Sequence, residues 1–273
     1  MKLIITSLLW REPRRRVALT LFAVWLAASW PYGERNFLWL PLMSVMVAVS
    51  TEFLWHYVWR KQAILSPSAT VTGFLIGLLL YPTTSWYFFV ILPAVAILLK
   101  LVVRLRHRTL FNPAGLALLL GTLLWNTNVT WWGTAWSPWL GLFVLVTLAD
   151  VLWRLKLWPS ILSFTIFYTL YLAYHSNFVQ VLPLVFDGTF LLFTAVMFTE
   201  PKSGPQGMTW LYQVSFAALV AGGIYFLSLA PSIMLDSLLT ALLVANLIIG
   251  LTRWLINRKS ISSTSVVTDA VGG

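Results

Sequence analysis

Only eight of the 273 residues are acidic, and five of them, Glu52, Asp150, Asp187, Glu200 and Asp236, fall inside or at the ends of long apolar stretches. An ionisable side chain in an apolar medium is expensive, so it marks either a pathway or a buried partner. By position along their stretches, Glu52 and Asp187 are the deepest, and the other three lie nearer the ends. Hydroxyls and amides cluster at the openings of similar stretches: Ser68, Thr70 and Thr72 in one, Asn112 in another, and Thr189 just after Asp187 in a third. These groups both donate and accept hydrogen bonds. Their chemistry is that of holding a polar organic ligand rather than attacking one. The chain has no cysteine, which removes disulfides, thiolate catalysis and Cys-ligated iron–sulfur clusters. No phosphate loop, hydrolase triad or metal-binding cluster is present, and no metal is expected.

The elements that position these residues follow from composition. Hydrophobic residues make up 59% of the chain and charged ones 10%, whereas a soluble domain carries about 25% charged residues. Sixteen Trp, nine Tyr and 17 Phe suit a chain with many membrane–water crossings. The sequence therefore reads as an all-α polytopic membrane protein. Apolar stretches run over 17–33, 37–58, 66–81, 86–103, 111–126, 137–153, 158–175, 183–200, 209–229 and 233–252, about ten transmembrane helices. Those near 66–81, 111–126 and 183–200 read as short or broken helices, which a bilayer tolerates only when they pack inside protein or line a cavity. Residues 1–16 read as a cytoplasmic or interfacial segment, 17–254 as one transmembrane domain, and 255–273 as a disordered cytoplasmic tail.

Charge sets the orientation. Threading the stretches alternately puts Arg11, Arg14–Arg16, Arg60, Lys61, Arg104, Arg106, Arg108, Arg154, Lys156, Lys202, Arg253, Arg258 and Lys259 on one side, with only Arg35 opposite. The positive-inside rule makes the crowded side cytoplasmic, with both termini there, and a multi-pass position in the cell inner (plasma) membrane. The net charge of +10 is then accounted for by loops facing anionic lipid, and nucleic acid is not an expected partner. Of the three histidines, His107 falls in a basic loop and His175 outside, so no buried pair is left to ligate haem. Gly73 and Gly77 have the spacing of a close helix contact.

The two halves, 17–126 and 137–254, match in outline. The third stretch opens Ser66-Pro-Ser-Ala-Thr-Val-Thr-Gly73 and closes at Pro82; the eighth opens Asp187-Gly-Thr189 and closes at Pro201. They run in opposite directions across the bilayer, as in a 5+5 inverted repeat. Asn112-Pro113 admits two readings. It is a good start for any helix, with Asn as cap and Pro in the first turn. It is equally a helix N-terminus aimed into the protein to bind an electron-rich group.

Three stretches resemble a known family: Ser68-Ala-Thr-Val-Thr-Gly-Phe-Leu-Ile-Gly-Leu-Leu-Leu80 followed by Pro; Phe111-Asn112-Pro113-Ala114; and Phe193 to Pro201 with Lys202-Ser-Gly-Pro205, where the family has Asp-Pro and this chain Glu200-Pro201. They resemble the integral-membrane D subunit of the Rnf electron-transport complex, whose family includes the B subunit of the sodium-translocating NADH:quinone reductase. The resemblance implies a subunit of a membrane redox complex that holds flavin between inverted repeats. Its partners would be lipid and other subunits carrying iron–sulfur or flavin centres. Those relatives attach FMN covalently through a Ser-Gly-Ala-Thr motif, which is absent here. The expectation is therefore non-covalent riboflavin or FMN, bound by Ser68, Thr70, Thr72, Asn112, Asp187, Thr189 and Glu200 with no catalytic side chain. The alternatives are a small-solute or flavin transporter or channel of the same architecture, and a scaffold with a decayed flavin site.

Overall fold

The computed structural model describes residues 12–62, 66–105, 108–175, 178–200, 203–229 and 235–271. Among these, helices joined by loops make up the fold, with one two-residue hairpin pairing Arg104–Leu105 with Arg108–Thr109. In chain order the helices are α1 Pro13–Ser29, α2 Arg35–Arg60, α3 Pro67–Leu79, α4 Phe88–Val102, α5 Pro113–Trp125, α6 Pro138–Arg154, α7 Trp158–His175, α8 Phe178–Val185, α9 Gly188–Leu192, α10 Trp210–Ser228 and α11 Ser237–Val271. Every apolar stretch of the sequence carries helix; that over 183–200 is divided, with α8, α9 and a π-helical turn at Phe193–Met197. Among the described residues, Arg35–Arg60, Trp210–Ser228 and Ser237–Trp254 are long and apolar enough to cross a membrane.

The short helices have local causes. Ser66, in extended conformation, precedes Pro67, and Pro in the first turn suits a helix whose leading N–H groups have no partner inside it. Asn112 caps α5 by accepting from Gly115 N at 3.0 Å, and α5 ends at Asn126 in the left-handed region, whose N–H returns to Gly121 and Thr122 carbonyls. Asp187 caps α9, accepting from Thr189 N at 2.8 Å.

Two differences from the sequence-based expectation stand out. Pro13–Arg16, assigned by composition to a leading segment, form the first turn of α1, because Pro13 is a good first helical residue. Residues 1–11 lie outside those described. α11 continues to Val271, over 255–271 of the segment expected to be disordered, and residues 272–273 lie outside those described. No Pro or Gly stands between Gly250 and Gly272 to stop it.

Packing centres on α3. A Cβ on Gly73 would lie 2.5 Å from Val45 Cα, and one on Gly77 would lie 2.7 Å from Pro41 Cα, so both glycines let α3 press onto the α2 backbone. Beyond Gly77, Trp132 donates its indole N–H to the Gly77 carbonyl at 2.9 Å, tying the 126–137 connection across the end of α3. The core is continuous from Leu21 on α1 to Ile249 on α11. The outer faces are apolar too: α6 exposes Trp139, Leu142, Phe143 and Val146, and α7 exposes Leu162, Ile166 and Leu170 at helical spacing. Apolar stripes of this extent are compatible with lipid as the surrounding solvent.

Candidate functional site

Five segments converge on one cavity of about 660 Å³, its open mouth included. The enclosed part holds only about 60 Å³, below the roughly 300–1,000 Å³ usual for organic ligands, so such a ligand would need its walls to part. Its body is apolar, with Val71 and Leu75 of α3, Leu148 and Leu152 of α6, and Val196 of the π turn. Polar groups in its lining are Arg14 from α1, Ser68 and Thr72 from α3, Asn112 at the head of α5, and Thr199 and Glu200 where the π segment ends.

The hydrogen bonding of these groups is partly committed. Thr72 Oγ1 donates to Ser68 O at 3.0 Å and Thr199 Oγ1 to Ala195 O at 2.7 Å, so both hydroxyls present acceptor lone pairs. Glu200 accepts from Ser203 Oγ at 3.1 Å. Asn112, 1% exposed, uses Oδ1 on Gly115 N, and among the described residues nothing bonds to its Nδ2. That amide donor is open to an acceptor supplied from the cavity. The N-terminus of α5 opens on this space, with Arg14 also in its lining. Electron-rich atoms are favoured there.

Of the residues singled out in the sequence, the cavity brings together Ser68, Thr72, Asn112 and Glu200. Thr70 points elsewhere: it lines a separate, more open groove with Arg15 and Ser66. Asp187 and Thr189 are not in the cavity lining. Their loop is pressed against the 126–137 connection, where a Cβ on Gly188 would come within 2.1 Å of Thr134 O. The eighth stretch therefore reaches the cavity with its far end rather than its opening. The remaining acids have structural partners. Asp150 is paired with Arg16 and, at 3.4 Å, with Arg154. Asp236 accepts from Trp131 Nε1 at 2.7 Å and Leu239 N at 2.8 Å.

Sequence reasoning missed one cluster. Lys100 Nζ on α4 donates to both carboxylate oxygens of Glu52 on α2, at 2.9 and 2.8 Å, with both side chains buried. His56 Nε2 lies 3.9 Å from the same carboxylate, and His56 Nδ1 is buried without a partner among the described residues. A lysine inside the apolar run 86–103 was the available signal, since such a charge demands a partner.

No family model and no curated protein sequence significantly matches this chain. Among the described residues no group of three or more His, Cys, Asp or Glu is placed to hold a metal.

Proposed function

We propose that this chain is a ten-span, inverted-repeat membrane component of a redox complex, similar to the integral-membrane D subunit of the Rnf complex, and that it holds riboflavin or FMN non-covalently in the α1–α3–α5–α6 cavity. The observation carrying this reading is the lining of the cavity, apolar side chains with Ser68, Thr72, Asn112 and Glu200 among them. The residue types suit such a group, and the cavity must widen from about 60 Å³ to admit it. Apolar side chains suit a ring system, and the open Asn112 donor and the hydroxyl acceptors suit its polar edge and side chain. Flavin, when bound, supplies one- and two-electron chemistry. The protein's part is to exclude water with Leu75, Leu148 and Val196, to orient the ligand through Asn112 and Ser68, and to hold charge near it with Arg14 and Glu200.

Packing supports the repeat in part, since α2 on α3, the most extensive pairing, has no α7–α9 counterpart of comparable extent among the described residues. In the first half α1 packs on α3, α2 on α4 and α4 on α5; in the second, α6 packs on α9, α7 on α10 and α10 on α11. Across the halves α1 meets α6 and α5 meets α11, the pairs that a two-fold exchange of halves maps onto themselves. The distribution of basic residues supports a cytoplasmic cavity mouth, with Arg14 and Glu200 on the side where partner subunits would exchange electrons. Iron–sulfur centres must come from those partners, since this chain has no cysteine to ligate them.

The test is the visible absorption spectrum of protein purified in mild detergent, with mass analysis of what heat releases. A yellow protein releasing riboflavin or FMN supports the reading. A colourless protein that does not take up added flavin rejects it, and solute flux through liposomes would then test a channel of the same architecture.

A further inference from the structure

Arg14, Arg15 and Arg16 stand side by side at the start of α1 and face three ways. Arg14 lines the cavity, and Arg16 is held by Asp150 of α6. Arg15 instead lines an open groove of about 310 Å³ where α1, α2 and the first turn of α3 meet. Its polar groups come from Arg15 and from Ser66 and Thr70 at the start of α3. Arg15 Nε pairs with Glu12 at 2.8 Å on the surface, which leaves the terminal amino groups of the guanidinium as donors. The Ser66 hydroxyl makes no capping bond, and that of Thr70 has no hydrogen bond among the described residues, whereas Thr72 returns its own to Ser68 O. Leu19 of α1 and Val49 of α2 make the rest of the groove apolar. From there exposed side chains continue at helical spacing, Phe22 and Leu26 after Leu19, and Met46 and Leu42 before Val49. Trp25 and Ser29 both donate to Phe37 O, so α1 and α2 run in opposite directions and the two stripes lead away from Arg15 the same way. Phe22 rests against Phe74 of α3, ring centres 6.2 Å apart, which puts α3 behind them.

We propose that this groove holds one anionic phospholipid, its phosphate on Arg15, Ser66 and Thr70 and an acyl chain along the stripes of α1 and α2. The inference rests on the membrane reading above and is independent of flavin. The two ends of the groove together select the occupant. A soluble phosphate would satisfy Arg15 and leave the apolar stripes bare, and hydrocarbon alone would leave the guanidinium with Glu12 as its one partner among the described residues. A phospholipid meets both ends. Guanidinium donors match phosphate oxygens in pairs, and the two hydroxyls can donate to the oxygens that remain. Charge then selects among lipids. Arg15 lies on the side crowded with basic residues, which the positive-inside rule assigns to the cytoplasm, where the leaflet is rich in anionic lipid. A zwitterionic lipid brings an ammonium group along with its phosphate, and so meets this side with no net attraction.

The experiment extracts the full chain from membranes in mild detergent, strips it of lipid, and titrates it with phosphatidylglycerol or phosphatidylcholine while native mass spectrometry counts bound lipid. The wild type should hold one phosphatidylglycerol per chain, bound roughly tenfold or more tighter than phosphatidylcholine, and Arg15→Gln should erase that preference. Glu12→Gln breaks the same surface ion pair but keeps the arginine, so it should bind phosphatidylglycerol at least as well as the wild type. Ser66→Ala with Thr70→Val should weaken binding while leaving the preference in place. Glycerol phosphate, which has the headgroup chemistry without the chains, should not compete. Equal binding of the two lipids by the wild type overturns the site, as does a preference that survives Arg15→Gln or is lost in Glu12→Gln. Competition by glycerol phosphate at the lipid's own concentration assigns the groove to a soluble phosphate and overturns the lipid. A wild-type chain recovered in the soluble fraction overturns the membrane reading, and this proposal with it.

Discussion

Asn112 carries two jobs through one amide: Oδ1 caps α5, and Nδ2 is left to the cavity. Asn112→Leu should therefore lower stability by about 1 kcal/mol through the cap. It should also weaken flavin retention roughly tenfold or more, for a lost hydrogen bond worth about 1–3 kcal/mol. Thermal unfolding and equilibrium dialysis separate the two effects. Asp187→Ala should show the first effect only, since its carboxylate caps α9 away from the cavity. Asn112 was legible because an Asn-Pro pair before an apolar run is a helix opening in any setting. The Glu52–Lys100 pair was not, because partners 48 residues apart leave no local pattern. Removing one member strands a buried charge: Glu52→Gln alone should cost about 3–5 kcal/mol, and Glu52→Gln with Lys100→Met much less, a difference that denaturation of the single and double variants would measure.

At the scale of elements, the glycines of α3 set how closely α2 and α3 approach. Gly73→Ala places a Cβ against Val45 backbone, which cannot yield as a flexible side chain would. It should cost about 1–3 kcal/mol and displace the α3 wall of the cavity. Gly222→Ala on α10, with open space around its added Cβ, should be neutral or stabilising by up to about 1 kcal/mol. If the two changes shift the melting temperature equally, the close-contact account of α3 fails. The Gly73/Gly77 spacing announced this contact in the sequence, as did Pro67 and Pro113 the starts of α3 and α5. The π turn at Phe193–Met197 left no such mark, since its residues are an ordinary apolar run. Thr199 and Glu200, which follow that turn, reach the cavity rather than Asp187 and Thr189. Inverted symmetry suggested that two polar openings would meet; packing instead set one opening beside the other stretch's end.

For the whole molecule, the charge pattern and the cavity make a joint claim: Arg14 and Glu200 open toward the cytoplasm. Reporter fusions after Trp30 and Asn128 should read as outside, and fusions after Lys61 and Lys156 as inside. An Asn128 fusion reading as inside would invert half the chain and break the repeat. The central claim is that the cavity between α1, α3, α5 and α6 is a flavin site, and competition within one protein tests it most directly. Riboflavin should quench tryptophan fluorescence of the purified wild type saturably, at one equivalent per chain, and Asn112→Leu should shift the midpoint at least tenfold while Asp187→Ala leaves it within about twofold. Saturable binding unaffected by Asn112→Leu, or no binding at all, would contradict the account.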